Sequence, residues 1–223
     1  MTIPLEQLKM VPFFAGMSDT AIVPLGKYVF EKKAERGEII SFEDETPEAV
    51  FTVVEGVVKT YKTSADGKEQ IFRIVRPGGT FNDAPVLVRD TNLISAEAMG
   101  PVTLLGIKPA DMEKLMADHE EISRNAVRVL GERVQALVSL VQDFSFLHVT
   151  GRVAKMLLQY ADHASGSGPR LTQQEMAALI GTAREMVGRS LKNLEEEGLI
   201  RMEKGRIIVT DEISLRRMAG MDD

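Results

Sequence analysis

The sequence predicts an α+β fold in three zones: a small antiparallel β sandwich or roll, one long helix, and a C-terminal winged helix-turn-helix. Three observations predict it. Short β-rich runs separated by turn signals fill the chain from Val29 to Lys108. The apolar spacing then changes to threes and fours over a proline-free stretch from Asp118 to Phe144. Last, two short capped segments meet around Gly181, with two apolar runs behind them.

The elements follow in order. Before Val29 the chain reads as short helical turns interrupted by Pro12, Gly16 and Pro24. Val50-Phe51-Thr52-Val53-Val54 and Val57-Val58-Lys59-Thr60-Tyr61 read as strands around Glu55-Gly56. Asp66-Gly67 is a hairpin signal ahead of Gln70-Ile71-Phe72-Arg73-Ile74-Val75, and Pro77-Gly78-Gly79 is a further turn. Helical crossovers of a parallel sheet are not seen here. In the long helix Val127, Leu130, Val134, Leu137, Val141 and Phe144 are spaced 3, 4, 3, 4, 3. That is a heptad seam, and a seam seeks a partner, so a self-dimerising helix is expected. Val149 to His163 reads as another helix, with Val153, Met156, Leu157 and Tyr160 on one face, followed by the flexible loop 164–169. The expected boundaries are 1–117 for the β zone with its short N-terminal helices, 118–147 for the dimerisation helix and 148–223 for the C-terminal domain.

Composition narrows the function classes. With 223 residues and 44% hydrophobic content the chain can bury a sizeable core. It holds no cysteine, which excludes disulfides, thiol switching and a cysteine-ligated iron–sulfur cluster. His119, His148 and His163 lie far apart, so no metal site is expected. No apolar run is long enough for a membrane span and no signal peptide is visible, so a cytoplasmic location is expected. The histidines do not cluster with nucleophiles and no phosphate-binding loop appears, so no catalytic residues and no enzyme are expected. The net charge is −6, but residues 150–223 hold 11 basic and 11 acidic residues, so the acidity lies in the first part. A neutral domain can bind DNA if its basic groups share a face.

The C-terminal residues carry the sharpest chemistry. Thr172-Gln173-Gln174-Glu175 is a capping box, and Gly181 suits the left-handed position that ends a helix. Thr182-Ala183-Arg184-Glu185 reads as a second capping box, after which Val187, Leu191 and Leu194 recur at helical spacing. Leu199 to Val209 then forms a hairpin across Lys204-Gly205, the usual wing. DNA-reading helices present their first residues to base edges in the major groove. Thr182, Ala183, Arg184, Glu185, Gly188 and Arg189 fall opposite the apolar side. Arginine can bond guanine in bidentate fashion, and glutamate can accept from cytosine. Gly188 costs helix stability, which makes sense where close approach matters. Lys192 could reach a phosphate. Thr172, Gln173 and Gln174 on the first helix and Arg206 on the wing complete the expected interface. A solvated amphipathic helix, with Glu185 and Arg189 paired to each other, is the plainer alternative.

From Leu171 to Val209 the chain resembles the DNA-binding end of the cAMP receptor protein / fumarate–nitrate reduction regulator (CRP/FNR) family. Arg184-Glu185-Met186-Val187-Gly188-Arg189 is similar to that family's recognition-helix signature, with Met186 in place of threonine. Val53 to Lys59, Asp66-Gly67-Lys68-Glu69 and Val75 to Phe81 resemble its β-roll motifs. The resemblance implies a cyclic-nucleotide-binding-like β-roll (a double-stranded jelly roll), a homodimer, double-stranded DNA as partner and RNA polymerase as a further one. It also implies a palindromic TGTGA-like operator, because members with arginine, glutamate and arginine at these three positions read such half-sites.

The sensor end departs from the family's pattern. The family's cAMP site uses a glycine–glutamate pair and an arginine–serine pair. Here Gly79, Thr80, Phe81, Asn82 and Asp83 stand at the first, and Ile94-Ser95 at the second. Without a cation an anionic phosphate loses its charge-assisted bonds, so cAMP is not expected, although Arg89 is near in sequence. The segment from Phe81 to Leu87 resembles members that do not bind cyclic nucleotides. The effector is therefore an unknown small molecule, with haem as another sensor known in the family. A constitutive DNA-binding regulator, or a cyclic-nucleotide-binding module without DNA, are the other readings.

Overall fold

A computed structural model of the chain describes residues 3–160, 171–203 and 206–221. Contacts divide it into two compact units. One contains the chain up to Lys62 together with Phe72–Ala136; the other joins Thr63–Ile71 to the chain from Leu137 onward.

The first unit opens with helices α1 (Leu5–Lys9) and α2 (Asp19–Ile22) and two short 3-10 turns, Pro12–Phe14 and Val23–Tyr28. Strands β1 (Val29–Ala34), β2 (Ile39–Ser41), β3 (Val50–Glu55), β4 (Val58–Thr63), β5 (Glu69–Val75), β6 (Thr80–Phe81), β7 (Ser95–Ala98) and β8 (Val102–Ile107) follow. They pair as two four-stranded sheets in the orders β1-β8-β3-β6 and β2-β7-β4-β5. All resolved pairings are antiparallel, which is the roll that the turn signals predict. Gly56 is obligatory at the β3–β4 turn: its φ is +81°, and a Cβ would lie 2.3 Å from the Pro101 carbonyl oxygen.

Two helices and the part of a third up to Ala136 complete the unit's path. Helix α3 (Asp83–Val88) interrupts a region that reads as strand and turn. Its Pro85 sits in the first turn, where a missing N–H costs nothing. Helix α4 (Pro109–Asp118) precedes the long α5 (Glu120–Phe146). Ile122, Ala126 and Val129 of α5 are buried in one core cluster with Phe13, Phe14, Leu105, Met112 and Leu115. A second cluster fills the strands with Phe51, Val53, Phe81 and Leu104.

The second unit contains α6 (Val149–Tyr160), α7 (Gln173–Ile180), α8 (Arg184–Glu196), the hairpin β9 (Ile200–Glu203) and β10 (Arg206–Val209), and α9 (Glu212–Met218). Its core contains Val153, Met156, Leu157, Met176, Val187, Leu191, Leu194 and Leu215. The loop 164–169, His163 and the Lys204-Gly205 wing tip lie outside the described residues.

Candidate nucleic-acid interface and sensor pocket

Helix α7 begins where its sequence says it should. Thr172 accepts from the Glu175 N–H, and the Glu175 carboxylate accepts from the Thr172 N–H at 2.7 Å. Gly181 ends it with φ +65°. The second capping box does not form. The Thr182 N–H bonds back to the Ala177 carbonyl, closing α7, so it is not free to donate to the Glu185 carboxylate as the box requires. Ala183 is the cap of α8, with no side-chain hydrogen bond.

The turn is held from outside by a residue that sequence reasoning missed. Arg152 of α6 donates from Nε to the Ile180 carbonyl at 3.0 Å and from Nη1 to the Leu147 carbonyl at 2.9 Å. Its guanidinium also lies 5.4 Å from the centre of the Phe144 ring. That ring comes so close to Gly181 that a Cβ there would be 2.7 Å from it. Ser190, buried in α8, shares a hydrogen bond with Thr150 of α6. The orphan carbonyl of Ile180 thus has a charged donor.

On α8 the buried residues are Val187, Ser190, Leu191 and Leu194. Ala183, Arg184, Glu185 and Arg189 are exposed, and Thr182 and Gly188 are half-buried. Of the first-helix candidates, Thr172 and Gln174 are exposed and Gln173 is half-buried. Arg206 is exposed on the wing. Lys192 pairs with Glu196 at 3.5 Å on the solvent side. Gly188 has nothing crowding it: a Cβ would meet only the Gln173 Oε1, at 3.7 Å. This arrangement puts two arginines, one glutamate and an open backbone patch on one surface.

The heptad stripe of α5 is largely exposed. Val127, Val134, Leu137 and Val141 are 71%, 60%, 53% and 63% exposed, and Leu130 is half-buried. Phe144 is 42% exposed and divides its surface between this stripe and the Gly181 turn.

In the first unit the sensor candidates Gly79 to Asp83 run from the turn before β6 into α3, whereas Ile94 and Ser95 lie at the start of β7 in the other sheet. Gly79 is on the turn before β6, Thr80 and Phe81 are buried, and Asn82 takes a left-handed conformation at the start of α3. Asn82 Oδ1 accepts from the Ser41 hydroxyl, while its buried Nδ2 has no partner among the described residues. Ser95 accepts from the Glu43 N–H, and Ile94 is half-buried. Two arginines from other elements reach Thr80 and Asp83. Arg133 of α5 donates from Nε to the Asp83 carboxylate at 2.9 Å and from Nη2 to Thr80 Oγ1 at 2.7 Å. Arg73 of β5 donates to the Thr80 carbonyl at 3.1 Å. Arg89 instead pairs with Glu113. Among the described residues no group of three or more histidines and carboxylates could hold a metal ion. His119 caps α4 and His148 is exposed between α5 and α6. No helix is long and apolar enough to cross a membrane among the described residues.

The sequence matches two known domain families. Residues 31–119 match a cyclic nucleotide-binding domain, and residues 151–218 a Crp-like helix-turn-helix domain. The chain is 30% identical over 221 residues to a CRP-like cAMP-activated global transcriptional regulator of Mycobacterium tuberculosis, covering 96% of this chain and 99% of that one. It is 26% identical to the cyclic AMP receptor protein of Thermus thermophilus, covering 95% and 98%. Among solved structures, FixK2 from Bradyrhizobium japonicum matches with a TM-score of 0.77 at 22% identity, covering 85% of this chain and 96% of that one. The Thermus thermophilus catabolite activator protein matches with a TM-score of 0.55 at 27% identity, covering 95% and 100%.

Proposed function

The chain belongs to the CRP/FNR family of DNA-binding transcription regulators, and from that premise we propose that it binds a palindromic TGTGA-like operator as a homodimer. The observation that carries this reading is the exposed Arg184, Glu185 and Arg189 on the first turns of α8, above a fully buried apolar side. Guanidinium groups there can engage guanine edges, and the carboxylate can accept from cytosine. The unpartnered stripe of α5 supports the homodimer, because a second copy would bury it. Two-fold symmetry then sets half-sites about 34 Å apart. Selection of bound duplexes from a random pool tests the reading. Recovery of a TGTGA-like inverted repeat is expected; recovery of unrelated sequences overturns it.

On the input side, the residues fit a cyclic phosphate poorly. The Asp83 carboxylate already takes the guanidinium of Arg133, and a phosphate brought there would meet that negative charge. Haem finds little support either, since His119 and His148 stand at helix ends rather than among the strands. Between a regulator switched by another small effector and one that needs none, the internal ion pair favours the second. RNA polymerase is a further partner in the activator case. Operator binding by protein freed of small molecules tests this: full affinity is expected, and strong dependence on a restored ligand counts against it.

A further inference from the structure

Among the described residues Asp83 is the single buried acidic residue, at 5% exposure. It sits in the first turn of α3 and meets Arg133, which lies fifty residues later in sequence, on α5. Burying a charge is costly, and pairing in the interior often yields little net stability, whereas it fixes geometry. What it fixes here follows from helical spacing. Ile122, Ala126 and Val129 are the core-facing stripe of α5, and Arg133 occupies the next place in that stripe. An arginine thus stands where the pattern calls for an apolar residue, and the first turn of α3 supplies its counter-charge. Thr80 completes the receptor: its hydroxyl accepts from Arg133 Nη2 and donates to Asp83 Oδ2 at 2.8 Å, and its carbonyl accepts from both Arg133 and Arg73. Arg133 also lies in the stretch between the two matched domains, which end at 119 and resume at 151.

We propose that Arg133 is a positioning residue for operator binding, and that Asp83 is its built-in anion. The pair ties α5 to β6 and α3 without any added anionic ligand. Because Val134 follows Arg133 directly, seating the guanidinium also sets the rotation at which the exposed stripe is offered to a second copy. This rests on the homodimeric, operator-binding reading.

The test titrates the selected operator and random duplex with wild type, Arg133→Met, Arg133→Lys and Asp83→Asn, alongside thermal unfolding. Wild type binds the operator without ligand, and saturating cAMP changes its affinity by less than about twofold. Arg133→Met loses about tenfold or more on the operator and less than about twofold on random duplex. Arg133→Lys, which keeps the charge, recovers a large part of that loss. Asp83→Asn moves affinity in the same direction as Arg133→Met. A folded Arg133→Met with wild-type operator affinity overturns the proposal, as does a wild type that cAMP strengthens about tenfold. If Arg133→Met does not unfold cooperatively, the isosteric Asp83→Asn decides by the same thresholds. A wild type that selects no operator removes the DNA reading and this inference with it, whereas equal affinity of all four proteins for a selected operator removes this inference alone.

Discussion

Arg152 and Ile180 are joined across two helices: the guanidinium Nε of one donates to the carbonyl of the other at 3.0 Å. That carbonyl belongs to the last residue of α7, one step before the Gly181 turn that launches α8. A charged donor on a helix-end carbonyl satisfies an orphan acceptor and fixes the angle at which the next helix departs.

Replacing Arg152 by methionine keeps most of the apolar stem and removes both backbone contacts. The C-terminal unit should lose roughly 1.5–3 kcal/mol in thermal or denaturant unfolding, the range for hydrogen bonds to charged groups. Operator affinity should fall as well, since α8 loses its fixed departure. Unchanged operator affinity together with unchanged stability would show that the turn holds itself.

Arg184 and Arg189 are exposed, and neither is among the buried residues of α8. Alanine at either position should leave the unfolding midpoint unmoved while weakening the operator complex by about 1–3 kcal/mol and relaxing one base position. The check is a base-by-base competition titration. Equal loss on operator and random duplex would make these arginines phosphate contacts.

Local chemistry is what the sequence makes legible. Thr172 and Glu175 are three residues apart and find each other, and Gly181 needs no distant partner to adopt a left-handed turn. Asp66-Gly67 marks its hairpin, and Glu55-Gly56 the turn between β3 and β4, for the same reason. Thr182 has the composition of a cap, but its N–H is already committed to Ala177, a competition that no pattern of residue types reveals. Asp83 and Arg133, or Arg152 and Ile180, are separated by fifty and twenty-eight residues, and only packing brings them together. Helix α3 is invisible for another reason. Val86, Leu87 and Val88 suit a strand as well as a single helical turn, and Pro85 suggests a break where it serves as a start.

Gly188 offers opposite signs for stability and binding. Its helical backbone and open surroundings accept a Cβ, with the nearest atom 3.7 Å away. Gly188→Ala should therefore stabilise the fold by about 0.5–1 kcal/mol, the ordinary gain for alanine over glycine within a helix. If the space is kept for a DNA backbone or base edge, operator affinity should drop at the same time, by about 1.4 kcal/mol for a tenfold loss. Paired unfolding and gel-shift measurements check both signs. A gain in stability with no loss in binding would assign Gly188 no part in the interface.

Leu137 tests the dimer without disturbing the monomer. It is 53% exposed on α5, so a glutamate there stays in water and the packing of the chain is undisturbed. In a seam with a second copy, the same carboxylate would be buried against its symmetry mate, where two like charges repel in a low dielectric. Leu137→Glu should therefore leave the cooperative unfolding of each chain near wild type while shifting the solution mass from dimer to monomer at micromolar concentration. Specific operator binding should go with it, because one reading head reaches only one half-site and loses the gain in effective concentration that linkage provides. Sedimentation and operator titration on the same sample check the two effects. A variant that remains dimeric, or a monomer that still binds the full operator as tightly, would place the self-association surface elsewhere on the chain.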